Sequence, residues 1–210
     1  MSSFPPSRFS AHQHPTAEDR LRDALLHFPR SRFGAEERKH EAELREPPEE
    51  LTVVTMLEAL ELVGTERVLE IGSATAYTTA LLSRLAVEVY SVVPEPELAE
   101  RRADELSALG CGNAHVVLAA SEEGWPAAAP YQAILVGAAA SEVPLELVNQ
   151  LDEGGRLVIS VGDADAQLLE RFRKRTGALD AETLGTCHLR HPLSAFAPPS
   201  GVPWANPSRS

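Results

Sequence analysis

The sequence predicts an α/β domain: a doubly wound, mostly parallel sheet with helices on both faces. Three observations predict it. Short apolar runs alternate along the chain with segments of helical period. The first run, Arg67-Val68-Leu69-Glu70-Ile71, is apolar enough for a strand buried on both faces, and it leads into a turn of small residues. Helices of this length between strands imply parallel pairing through right-handed crossovers.

The chain has 210 residues, 43% of them hydrophobic, enough for one domain with a sizeable core. Residues 1–15 form a flexible N-terminal arm carrying Pro5, Pro6 and Pro15, and residues 195–210 a flexible tail carrying Pro198, Pro199, Pro203 and Pro207. The domain therefore spans 16–194. A net charge of −12 makes nucleic acid and anionic membranes poor partners. No apolar run approaches the ~20 residues needed to span a bilayer, and the first ten residues lack signal-peptide regions. Cys111 and Cys187 lie far apart without framework spacing, which implies a reduced, cytoplasmic setting and buried thiols.

Thr16 is placed to cap a helix with Leu21, Ala24, Leu25 and Phe28 on one side, stopping before Pro29. The charged stretch Ala35 to Leu44 reads as a surface helix. Glu49 to Val63 sets Leu51, Val54, Leu57, Leu60 and Leu62 near helical period, with Gly64 as the stop. After the first strand come a helix from Thr78 to Leu85, a strand from Val87 to Val93, and a helix from Pro96 to Leu109 ended by Gly110. His115 to Leu118 and Ala133 to Val136 are the third and fourth strands. A helix from Val143 to Leu151 and the turn Glu153-Gly154-Gly155 precede a fifth strand, Arg156 to Val161. Two further strands, near Gln167 to Arg173 and Leu184 to Arg190, are expected to close the sheet antiparallel.

Ligands of open α/β sheets bind beyond the carboxyl ends of the strands, so the loop after Ile71 is the expected site. It reads Gly72-Ser73-Ala74-Thr75-Ala76-Tyr77. Loops of this kind use glycines for close backbone approach; here only Gly72 is present, and each alanine adds a methyl group where a ligand would pack. An ordinary strand-to-helix turn is the competing reading. Cys187, His188 and His191 suit no compact metal site, because on a strand Cys187 and His191 share a face about 13 Å apart while His188 points the other way. His12 and His14 belong to the arm, Ser121 has no activating motif, and Trp125 reads as a packing anchor. No side chain is assigned to catalysis and none to a metal.

The wider sequence resembles the protein-L-isoaspartate O-methyltransferase family. The resemblance is carried by Glu66-Arg67-Val68-Leu69-Glu70-Ile71-Gly72, Val89-Tyr90-Ser91-Val92, Pro96-Glu97-Leu98-Ala99-Glu100 and Glu123-Gly124-Trp125-Pro126. Ala129-Pro130-Tyr131, Ala138-Ala139-Ala140, Glu142-Val143-Pro144 and Glu153-Gly154-Gly155-Arg156-Leu157-Val158 continue it in family order. Phe28-Pro29-Arg30 with Phe33 upstream, and Leu184 to Leu193 downstream, extend it to roughly residues 16–194. It implies the Rossmann-like, class I methyltransferase fold, S-adenosylmethionine as cofactor, and methylation of isoaspartyl carboxylates in a protein or peptide partner.

The resemblance also implies four functional segments, and this chain departs from each. In the Gly-x-Gly-x-Gly loop, Ala74 and Ala76 replace glycines. The acidic ribose-binding position after the second strand aligns with Val93, followed by Pro94, with Glu95 two residues on. A Gly-Asp-Gly segment near the adenine aligns with Leu118-Ala119-Ala120, with Glu122 and Glu123 displaced into the loop. The substrate segment aligns with Glu46 and Pro48 at its hydroxyl positions, amid Glu49 and Glu50. Each lost charge-assisted hydrogen bond costs ~1.5–3 kcal/mol, so two lost carboxylates plus a crowded loop predict an affinity weakened by roughly three to four powers of ten.

Two readings follow. In the first, the chain is a degenerate relative with lost or altered repair activity, keeping a binding or regulatory role and needing no cofactor. In the second, it is an active S-adenosylmethionine-dependent methyltransferase of a protein or peptide carboxylate. Glu70, Gly72, Ser73, Ala74, Ala76 and Glu95 are then the cofactor-binding residues.

Overall fold

The computed structural model describes residues 15–33, 50–73, 75–163, 166–189 and 193. The stretch read as a helix over 35–44, the acidic segment around Glu46 and Pro48, and both tails lie outside them.

Helix α1 (Ala17–His27) opens with a capping box: the Asp19 amide donates to Thr16 Oγ1 at 3.1 Å while Thr16 N donates to Asp19 Oδ2 at 3.2 Å. Leu21, Ala24 and Phe28 are buried, as their spacing requires. Helix α2 (Glu50–Ala59) is shorter than predicted, and Leu51 is 72% exposed although it fits the period. Burial begins at Val53 and continues through Met56, Leu57 and Leu60.

The sheet has seven strands in the order β3-β2-β1-β4-β5-β6-β7. They are β1 (Arg67–Ile71), β2 (Glu88–Val93), β3 (Ala114–Leu118), β4 (Tyr131–Ala140), β5 (Leu151–Gly162), β6 (Gln167–Arg175) and β7 (Ala178–Cys187). The first five pair in parallel, and β6 and β7 close the sheet antiparallel. Helices α3 (Ala76–Leu85), α4 (Pro96–Ala108) and α5 (Leu145–Gln150) connect them. Chain order reverses between β1 and its two neighbours, β2 and β4, which puts the switch point at the carboxyl end of β1.

Alternation along β1 feeds both faces. Val68 packs into one cluster with Leu21, Met56, Ala80 and Leu81. Leu69 and Ile71 pack into the other with Ile134, Val136, Leu147 and Leu157. The predicted strands are all present, with corrected ends. β4 and β5 run longer than their apolar runs. The glycine turn at 153–155 survives inside β5 as an irregularity, pairing passing from Tyr131↔Leu151 to Ala133↔Arg156. β7 starts at Ala178 rather than Leu184 because it follows β6 through a tight turn at Thr176-Gly177. It is mostly exposed, so no apolar run marks it.

Candidate cofactor site at the carboxyl end of the sheet

Gly72 is the first residue past β1 and adopts φ +70°. A Cβ there would lie 2.7 Å from Ala138 Cβ, so the turn passes tightly beside the end of β4. Gly137 meets it from the other side: a Cβ at Gly137 would stand 3.2 Å from the Gly72 carbonyl oxygen. Side chains hold the rest of the turn. Ser73 Oγ donates to the Thr75 carbonyl at 3.1 Å, and Thr75 caps α3 by accepting from the Tyr77 amide at 3.4 Å. The Ser73 carbonyl accepts from Arg102 Nη1 at 2.9 Å.

Beneath the turn sits Glu70, fully buried. Thr79 Oγ1, from α3, donates to its Oε2 at 2.5 Å, and Ser91 Oγ on β2 lies 3.4 Å from that hydroxyl. Burial pushes the Glu70 carboxyl above the usual carboxylate range, against the opposing pull of Thr79, the Arg102 charge, Ser91 and Ser73. Its Oε1 has no hydrogen-bond partner.

One correction concerns the predicted site residues. Ala76 is not in the turn but is the first residue of α3, wholly buried within the cluster that contains Tyr77 and Ala80. Its methyl group faces the core, so it does not crowd the ligand side as expected. The cap supplied by Thr75 starts the helix earlier than the predicted Thr78 and turns that side chain inward. Ala74 lies outside the described residues.

At the end of β2, Val93 is 1% exposed and Pro94 is buried, while Glu95 is exposed and precedes α4 without a side-chain cap bond. The structure thus brings Glu70, Gly72, Ser73 and Ala76 together at one strand-turn-helix junction and leaves Glu95 exposed at the start of α4. After β3, Ala119 is buried and Ser121 Oγ is buried without a partner. The following loop is pinned by Gln150 of α5, which accepts from the Trp125 amide at 2.8 Å and donates to the Glu123 carbonyl at 2.7 Å. Gly124 takes φ +64°, where a Cβ would lie 2.8 Å from Gln150 Oε1. Tyr131 OH donates to the Trp125 carbonyl at 2.6 Å. Trp125 packs in the second core cluster, consistent with an anchor.

A cleft of about 670 Å³ opens beyond β4 and β5, lined by Ser141, Glu142, Glu146, Asp163 and Leu193 with Glu122 on the β3 side. None of the five predicted cofactor residues that are described lines it. Gln167 braces this end by donating to the Leu189 carbonyl at 2.8 Å and accepting from the Leu189 amide at 2.7 Å. Cys187 Sγ donates to Ser160 Oγ at 3.2 Å, and burial raises its thiol above the usual range. Among the described residues no cluster of three metal-ligating side chains occurs; His191 is not among them.

The sequence reading missed Arg102 and the cleft. Arg102 had a signal: it lies on the α4 stripe of Leu98, Leu106 and Leu109, where a charged residue breaks the apolar pattern. The cleft had none, because its carboxylates come from three separate loops and from helix α5.

The sequence model of the protein-L-isoaspartate(D-aspartate) O-methyltransferase family matches residues 10–189. A protein-L-isoaspartate O-methyltransferase of Anaeromyxobacter dehalogenans is 43% identical over 166 residues, covering 74% of this chain and 79% of the relative. One from Roseiflexus is 38% identical over 180 residues, covering 81% and 82%. Among solved structures, a Plasmodium falciparum protein described as a beta-aspartate methyltransferase in complex with S-adenosyl-L-homocysteine superposes with a TM-score of 0.67 at 18% identity, covering 83% of this chain and 90% of its own. The fold is that of the class I methyltransferases, Rossmann-like and mostly parallel. These relatives carry the enzyme's name, so the comparisons favour the active reading and give no support to a degenerate one.

Proposed function

The chain belongs to the protein-L-isoaspartate O-methyltransferase family, and from that premise we propose that it is an S-adenosylmethionine-dependent methyltransferase acting on protein or peptide carboxylates of the isoaspartyl type. One observation carries the cofactor half of this reading. Three buried side-chain atoms among the described residues lack a partner, and two of them, Glu70 Oε1 and Ser121 Oγ, belong to residues at or just past the carboxyl ends of β1 and β3. Buried polar atoms are satisfied almost everywhere in folded proteins, so unpaired ones beside a binding crevice fit a polar ligand. The tight Gly72 turn, where even one added methyl group would collide, supports the same placement.

In this reading Gly72 and Ser73 form the cofactor turn, Ala76 opens the helix behind it, Glu70 supports it from beneath, and Glu95 reaches the ribose side. Ser121 stands on the adenine side. The cofactor supplies a methyl group already activated on sulfur, so the protein's task is orientation and exclusion of water rather than proton transfer. The turn and its buried supports hold one reactant still, and the adjoining cleft beyond β4 and β5 receives the acceptor.

Transfer of a labelled methyl group to a synthetic isoaspartyl peptide, with the aspartyl isomer as control, tests the proposal. Label on the isoaspartyl peptide alone supports it. A folded protein that labels neither peptide at millimolar cofactor overturns it and returns the binding-protein reading, which the apolar Val93 and Ala119 would then explain.

A further inference from the structure

We propose that Arg102 is a positioning residue for the cofactor turn, holding the Ser73 carbonyl from α4 so that the turn keeps one shape before any ligand arrives. The inference rests on the methyltransferase reading for the identity of that ligand. Its structural basis does not.

Arg102 is 1% exposed, and its Nη1 reaches out of its own helix to the Ser73 carbonyl at 2.9 Å, 29 residues away in sequence. Burying a guanidinium on a helix that could have placed an apolar side chain there is costly unless its donors and charge are used. Both uses are visible. One donor fixes the turn, and the charge acts on the buried Glu70 carboxyl. Thr79 from α3, Ser91 from β2 and Ser73 from the turn are the other groups that act on Glu70.

The turn has reason to need such a hold. Gly72 is its one described residue at positive φ, so its path is set by side chains: Ser73 on Thr75, Thr75 on Tyr77, and Arg102 on Ser73. The first two bonds are local to the turn and move with it. Arg102 ties it to α4.

Two variants test this, Arg102→Gln and Arg102→Lys. Hydrogen exchange of the ligand-free protein is read on the peptide covering residues 72–77 and on peptides from β4 and β5. Arg102→Gln is expected to speed exchange at 72–77 about tenfold while β4 and β5 keep their protection. The KM for S-adenosylmethionine should rise about tenfold with kcat little changed. Arg102→Lys keeps the charge with a different reach, so about a threefold rise in KM and a smaller exchange effect are expected. Wild-type exchange and KM in both variants overturn the proposal, as does exchange that rises uniformly across the sheet. If Arg102→Gln does not fold, Arg102→Lys decides by the same two readouts. Should the wild-type protein show no methyl transfer, the exchange comparison still decides the role of Arg102, while the ligand assignment fails separately.

Discussion

Glu70 sits where a carboxylate is expensive. It is fully buried, one oxygen is unpaired, and burial raises its carboxyl above the ordinary range. A carboxyl raised by folding contributes its full stability when protonated and loses it as pH rises through the folded-state value. Glu70→Gln mimics the protonated form, so its thermal midpoint should equal or exceed the wild type at pH 7.5. The difference should shrink as pH falls through the ordinary carboxylate range, where the unfolded chain takes up its proton as well. Thermal unfolding across that range checks the sign; a difference largest at low pH would contradict it. The same variant should bind S-adenosylhomocysteine more weakly, the pattern of a residue kept for function at a cost in stability. At this scale the sequence was partly legible. Gly72 and Ser73 followed from the strand-turn-helix pattern, but the inward direction of the Ala76 methyl depends on where Thr75 starts the helix, which residue types alone do not reveal.

Gln150 joins two elements that the sequence shows only separately. It closes α5 and, through two hydrogen bonds, fixes the loop that carries Ser121 to Trp125. Gln150→Ala would leave the Trp125 amide and the Glu123 carbonyl without these partners in a half-buried setting. A loss of about 1–3 kcal/mol is expected, measurable by urea unfolding, with faster hydrogen exchange concentrated at residues 121–130. Unchanged stability and exchange would show the loop to be held by other means. The elements themselves were readable where burial on both faces compresses apolar residues into short runs, as in β1, β2 and the centre of β5. They were not readable where the surroundings are wet. β7 is largely exposed and its extent is set by pairing with β6, and Leu51 matches the helical period of α2 without facing the core.

The whole molecule carries a net charge of −12, and the cleft beyond β4 and β5 adds Glu122, Glu142, Glu146 and Asp163 around one opening. Long-range repulsion should therefore act on the acceptor before any contact forms. Isoaspartyl peptides flanked by lysine or arginine should show lower KM than acidic ones of equal length, and the gap should narrow as salt is raised from about 20 to 300 mM. Equal KM values at low salt would contradict this. The family and the parallel sheet were legible from ordered motifs spread over most of the domain, whereas the activity was not. Substitutions at Val93 and Ala119 read as loss, but the structure places the Ala76 methyl in the core and leaves Glu70 Oε1, next to the turn, unpaired. The account's central claim is that this turn still accepts the cofactor, with a grip weakened by the missing carboxylates. Titration calorimetry with S-adenosylhomocysteine tests it most directly. A dissociation constant on the order of 0.1 mM is expected for the wild type, tightening about tenfold in Val93→Glu or Ala119→Asp. No binding heat at millimolar ligand, in the wild type and in both variants, would contradict it.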